Sequence, residues 1–218
     1  MKRTSLVLGI VVLLVLVALL GGCGSYNRLV GLRQNVDRSW ADVQSVYQRR
    51  ADLIPNLVRT VEGAANFEKT TLTEVVQARQ QVTNVKLDPT AAPSDPAALQ
   101  KFQQSQDALS GALSRLLVVV ERYPDLKANA NFQGLQTQIE GTENRIAVER
   151  RKFNETVQGY NTAIQRMPTA LFAGMLGFQA RPYFAAREGA DLAPEVNFSF
   201  GRPGGAPATS PPVEPAPR

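Results

Sequence analysis

From Tyr26 onward, apolar residues recur every three or four positions, which marks amphipathic helices. Leu29, Leu32, Val36, Trp40, Val43 and Tyr47 form the first stripe, with Arg28, Arg33, Gln34, Asp37, Arg38 and Gln44 on the other face. Proline lacks an N–H donor and disfavours helical geometry in the residue before it, so the first helix is expected to stop or kink near Asp52-Leu53-Ile54-Pro55. A second segment then starts at Pro55 and runs to about Asn84 on Leu57, Val58, Val61, Leu72, Val75, Val76 and Val82, weakened in its middle by Gly63 and Asn66. Three prolines between Lys86 and Pro96 make a loop, and Asp95-Pro96 is a helix start signal. The third helix carries Leu99, Phe102, Leu109, Leu113, Leu116, Val120 and Tyr123. The fourth carries Phe132, Leu135, Ile139, Thr142, Ile146, Phe153, Val157, Tyr160, Ile164 and Met167. None of these helices can bury its stripe alone. The expected fold is all-α: an up-and-down four-helix bundle of long amphipathic helices. Thr169 to Ala186, with Leu171, Phe172, Met175, Leu176, Phe178, Tyr183 and Phe184, should pack over one end as a short helix and extended strand.

The two ends differ from this middle. Lys2 and Arg3 precede an apolar run from Leu6 to Leu20, followed by Gly21-Gly22-Cys23-Gly24-Ser25. This is the layout of an export signal, and its apolar run is short for the roughly 20 residues needed to span a bilayer. Leu20-Gly21-Gly22-Cys23 resembles the bacterial lipobox, which makes Cys23 the expected lipidation site. As the sole cysteine, it has no internal disulfide partner. The alternative is an uncleaved anchor from Thr4 to Cys23. Either way, positive charge before the apolar run directs the rest of the chain out of the cytoplasm. With two host membranes, Gly24 fits sorting to the outer one. Beyond Phe200 lie six of the fourteen prolines, a composition that cannot build a core. The expected divisions are 1–22 as signal peptide or anchor, 23–25 as lipobox cysteine and linker, 26–186 as the bundle with its packing segment, and 187–218 as a Pro/Gly-rich tail, disordered from about 201.

Composition narrows the chemistry. The chain has no histidine, which removes the commonest general base and transition-metal ligand and any Ser–His or Cys–His pair. Lys69, Lys101, Lys127 and Lys152 lie among polar neighbours, unlike the buried lysine that Ser–Lys chemistry needs. Glu140 and Glu143 are one turn apart, but di-iron bundles add Glu-x-x-His pairs, so Glu143 is expected instead to pair with an arginine or to accept hydrogen bonds inside the bundle. No cofactor, metal or catalytic residue is expected. The net charge of +5 is scattered, which argues against a nucleic-acid groove. Arg49, Arg50, Asp52 and Asn56 gather at the expected break. They either serve the helix ends there or form a partner-binding site. Trp40 is expected in the core, and Asn154, Tyr160 and Asn161 as a polar layer fixing helix register.

Tyr26-Asn27-Arg28-Leu29-Val30, Val36-Asp37-Arg38-Ser39-Trp40 and Gln48-Arg49-Arg50-Ala51-Asp52-Leu53-Ile54-Pro55-Asn56-Leu57-Val58 closely resemble the LemA family of bacterial envelope proteins. The resemblance continues through Thr60-Val61-Glu62-Gly63, Glu68-Lys69-Thr70-Thr71-Leu72, Tyr123-Pro124-Asp125-Leu126-Lys127-Ala128, Phe132-Gln133-Gly134-Leu135-Gln136, Gly141-Thr142-Glu143-Asn144-Arg145-Ile146, Tyr160-Asn161 and Gly177-Phe178. It implies a four-helix bundle outside the cytoplasm behind one membrane segment, with no established catalysis, in company with membrane-bound proteolysis and envelope stress. Where the family often has histidine before glutamate, this chain has Phe67-Glu68. The leading expectation is a non-enzymatic scaffold or accessory protein, held by its N-terminus and bound to envelope proteins such as a membrane protease. The alternatives are an envelope hydrolase or carboxylate-metal protein, and a cationic module for anionic lipid or wall polymer. Oligomeric state is not encoded legibly.

Overall fold

The structure, a computed structural model, describes the backbone of residues 2–63 and 67–185, with side chains from residue 24 onward. The expectations placed on the Cys23 side chain and on the tail fall outside the described residues. Among the described residues six helices occur in order: α1 (Lys2–Glu62), α2 (Lys69–Asn84), α3 (Pro96–Val120), α4 (Pro124–Lys127), α5 (Ala130–Gln165) and α6 (Ala170–Ala173). Among the described residues there is no strand. Nor, among the described residues, is any helix long and apolar enough to cross a membrane; the side chains of the leader are not among them.

α1, α2, α3 and α5 form the up-and-down bundle. α1 pairs with α5 along its length, and α2 with α3. Leu29 shares a core cluster with Ile164, and Leu57 and Val61 share another with Phe132 and Ile139, so α1 and α5 run antiparallel. Asp95 caps α3 by accepting from the Ala97 N–H at 2.9 Å, with Pro96 in the first turn as expected. Asn129 caps α5 in the same manner, accepting from Asn131 and Phe132. Each cap satisfies donors that the helix cannot reach itself.

The stop expected at Pro55 does not occur: α1 continues to Glu62, with Pro55 inside it. The missing proline N–H would have bonded the Ala51 carbonyl. That carbonyl accepts instead from Arg79 Nε of α2 at 3.2 Å. Ile54, Leu57, Val58 and Val61 are all buried around the proline, so packing holds the helix together where local propensity would break it. α1 ends at Glu62, just before Gly63, and α2 starts at Lys69.

The segment after α5 packs on the bundle at the end where α1 leaves its apolar run. It carries α6, and then residues 178–185 run without regular structure. Ala173, Phe178 and Phe184 join the core there. A strand was expected in this segment, yet its backbone forms no ladder. Side-chain amides take its hydrogen bonds instead. Asn161 donates to the Arg181 carbonyl at 2.8 Å and accepts from the Arg181 N–H at 2.9 Å. Asn154 holds Phe184 in the same two-point way, and Gln103 of α3 holds Ala185. Asn154 and Asn161 therefore fasten a strap to the bundle and do not reach across to another helix, while Tyr160 lies in the core at 1% exposure.

Candidate functional site

The centre of the bundle is polar. Along α1 the buried positions Val36, Trp40, Val43, Tyr47, Arg50, Ile54, Leu57 and Val61 step by alternating four and three. Arg50 occupies one of these inward positions and is 1% exposed. Its Nη1 donates to Ser110 Oγ at 2.8 Å and to Glu143 Oε1 at 2.5 Å. Its Nη2 donates to the side-chain oxygen of Gln106 and, at 3.3 Å, to the Gln106 carbonyl. The guanidinium also lies 5.3 Å from the Tyr47 ring centre. Three helices thus meet in one polar layer. A buried cation needs this, because taking it out of water costs several kcal/mol unless a counter-charge and hydrogen bonds replace the solvent. Nε alone, among the buried side-chain atoms described, has no hydrogen-bond partner.

Beside this layer, between α1 and the α2 end of the bundle, opens a cleft of about 430 Å³. Tyr47 and Gln106, both in contact with Arg50, form its inner wall, and Phe102, Val82 and Leu87 add apolar surface. Gln44, Gln48, Asp52, Arg79, Thr83 and Lys86 supply polar groups. Gln48 donates to Asp52 at 3.0 Å on the rim. Burial pushes the Tyr47 phenol above its ordinary pKa, with Arg150 and Arg50 opposing that rise. At neutral pH it is therefore an uncharged hydroxyl. The lining can hold a mixed polar and apolar ligand, but it brings no acid, base and nucleophile together.

The four residues expected as one partner site are separated by the structure. Only Asp52 lines the cleft. Arg49 and Asn56 are exposed on α1, and Arg50 is inside. Because α1 continues through Pro55, they serve no helix end either, and Asn56 accepts from Arg59 at 2.8 Å within the helix. Glu143 meets an arginine, as expected. Glu140 faces solvent and accepts from Gln136. Among the described residues no three thiol or carboxylate groups are placed to hold a metal. Sequence reasoning missed Gln106, Ser110 and Arg79. The signal for Arg50 and Gln106 was present, since each falls on the alternating spacing of its helix's core.

A sequence profile described as the LemA family matches residues 39–198, most of the chain. The chain belongs to the LemA family. The match takes in the Arg50 layer, the cleft and the strap, and starts after Cys23, so the leader is outside it. Among curated relatives, this LemA-family chain is 24% identical to "Magnetosome protein MamQ" of Magnetospirillum gryphiswaldense, over 76% of this chain and 66% of that one. It is 27% identical to "Protein LemA" of Metamycoplasma hominis, over 76% of this chain and 71% of that one. "Magnetosome protein MamQ 2" of Paramagnetospirillum magneticum is 23% identical, with 76% and 66% covered. The LemA-family chain thus spans just under two thirds of the MamQ proteins it matches.

Proposed function

We propose that this LemA-family chain is a membrane-anchored envelope protein that acts outside the cytoplasm by binding a partner protein at the α1–α2 cleft, not by catalysis. The observation that carries this reading is the continuity of α1, one helix from Lys2 to Glu62. It passes from the apolar run into the bundle and delivers Gln44, Gln48 and Asp52 to the cleft. The relatives named LemA and MamQ support a membrane-associated envelope protein. The absence of histidine and the engagement of Glu143 Oε1 by Arg50 and Ser110 favour binding over chemistry. The LemA family is not known as an enzyme family. Lipidation at Cys23 and association with a membrane protease are part of this proposal.

Photo-crosslinking in intact cells tests it. A crosslinking residue at Thr83, on the cleft, should yield a discrete adduct that is absent from Thr137, exposed on α5. Arg79→Glu should remove the adduct. Equal adducts from both positions, or none from either, contradict the cleft as the working surface.

A further inference from the structure

Ten residues after α5 expose five large apolar side chains: Met167 at 70%, Leu171 at 60%, Phe172 at 45%, Met175 at 87% and Leu176 at 48%. Elsewhere, exposed apolar residues such as Val76, Val118 and Val148 stand singly, as they do on most soluble surfaces. A contiguous apolar patch needs a partner. Only Ala173 in α6 faces the core; its neighbours on both sides face out.

The position of the patch says what that partner is. α5 runs antiparallel to α1, so the segment after it returns to the end of the bundle nearest the leader. The Phe178 ring lies 5.6 Å from Tyr26, edge to face. Tyr26 follows Cys23 by three residues, about 5 Å along a helix. The charge around it agrees. Residues 24–36 and 156–185 contain no aspartate or glutamate, while Arg28, Arg33, Arg166 and Arg181 lie within them. Exposed apolar side chains on segments that carry arginines and no carboxylates, with a half-exposed tyrosine, are the chemistry of a surface that sits in the headgroup layer of an anionic bilayer.

We propose that residues 167–176, together with Tyr26, form a foot that inserts shallowly into the bilayer carrying the anchor, and so fixes the bundle upright on it. This rests on the membrane anchorage proposed above. The foot gives the tether an orientation: the cleft, near Tyr47 and Asp52, stands about 30 Å or more from the bilayer by helix rise alone.

The test uses the full chain reconstituted in phosphatidylethanolamine–phosphatidylglycerol vesicles, with or without brominated acyl chains, comparing Met175→Trp with Val118→Trp. Both positions are exposed and unpacked, so neither change should disturb folding. Native Trp40 is fully buried and about 20 Å further along α1 than Tyr26, a constant background. The expected result is co-flotation of both variants, with a blue-shifted emission for Met175→Trp that brominated lipid quenches and no such quenching for Val118→Trp. Co-flotation with a water-exposed Met175→Trp signal overturns the foot and leaves the anchorage standing. A blue shift without lipid quenching means that protein, a second copy or another chain, covers the patch, and also overturns it. Failure to float removes both proposals.

Discussion

The bundle has two cores of different make, one on each side of Arg50. Towards the leader the core is aromatic: Trp40, Tyr47, Phe102, Phe153, Tyr160, Phe178 and Phe184 pack together. Trp40 meets Phe102 at 5.5 Å and Phe153 at 5.7 Å, and lies nearly parallel to Phe184 at 6.1 Å. Beyond Arg50 the core is mostly aliphatic, with Ile54, Leu57, Val61, Val75, Leu109, Leu113, Leu116 and Ile139. The difference follows from which elements supply each core. α2 contributes to the distal core, where it fills the interior together with α1, α3 and α5. Nearer the leader α3 still supplies Leu99 and Phe102, but the 85–95 loop and the strap take the place of α2 and bring further rings. Polar groups finish that half: Trp40 donates to the Asp88 carbonyl at 3.0 Å, Asp37 accepts from the Ala92 N–H, and Arg181 donates to the Ala92 carbonyl. One half is held by helix stripes; the other is assembled from loops fastened by side chains.

The largest effect should come from Trp40→Ala, which removes the ring that joins α1, α3, α5 and the strap. A loss of about 3–5 kcal/mol is expected by chemical denaturation. Hydrogen exchange should then rise in residues 178–185 ahead of the distal core. Next is the divider itself. Glu143→Ala leaves the Arg50 cation buried without its counter-charge and should cost about 3 kcal/mol, near the low end for such pairs because Glu143 is 29% exposed. Adding Arg50→Met should recover most of that loss, since neither charge then remains; a double variant as unstable as the single would show that the layer works by shape. Asn154→Ala removes two hydrogen bonds to Phe184, worth roughly 1–3 kcal/mol, and should loosen the strap while the exchange rates of α2 and α3 stay unchanged. Smallest is the pH effect. Because folding raises the Tyr47 pKa, its contribution is full below about pH 10 and is lost as pH climbs through the folded value. Tyr47→Phe should flatten the alkaline fall in stability and leave neutral stability nearly unaltered.

Much of the distal half was legible, because periodic stripes and caps are local signals. The α3 and α5 cores, the Asp95 cap and the pairing of Glu143 with an arginine all arise from spacing and residue type. Pro55 was misleading for a physical reason. Its cost is local, but Arg79, far along the chain in sequence, takes up the freed Ala51 carbonyl. Arg50 was hidden because charge suggests surface, although its place in the four-three alternation marks the interior. In the leader-side half, the strap could not be read from residues 178–185 alone. Its conformation is set by Gln103, Asn154 and Asn161, three amides that bond backbone instead of side chains. The family resemblance was carried by blocks in both halves and agrees with the profile match over 39–198.

On the proposed topology the bundle stands on the outer side of the membrane that holds it. A membrane-impermeant amine reagent applied to intact spheroplasts tests it directly, because Lys69, Lys101, Lys127 and Lys152 are all exposed on the bundle. These lysines should be labelled without lysis, in protein that stays with the membrane fraction. Labelling only after lysis, or recovery of the chain in the soluble cytosol, would contradict it.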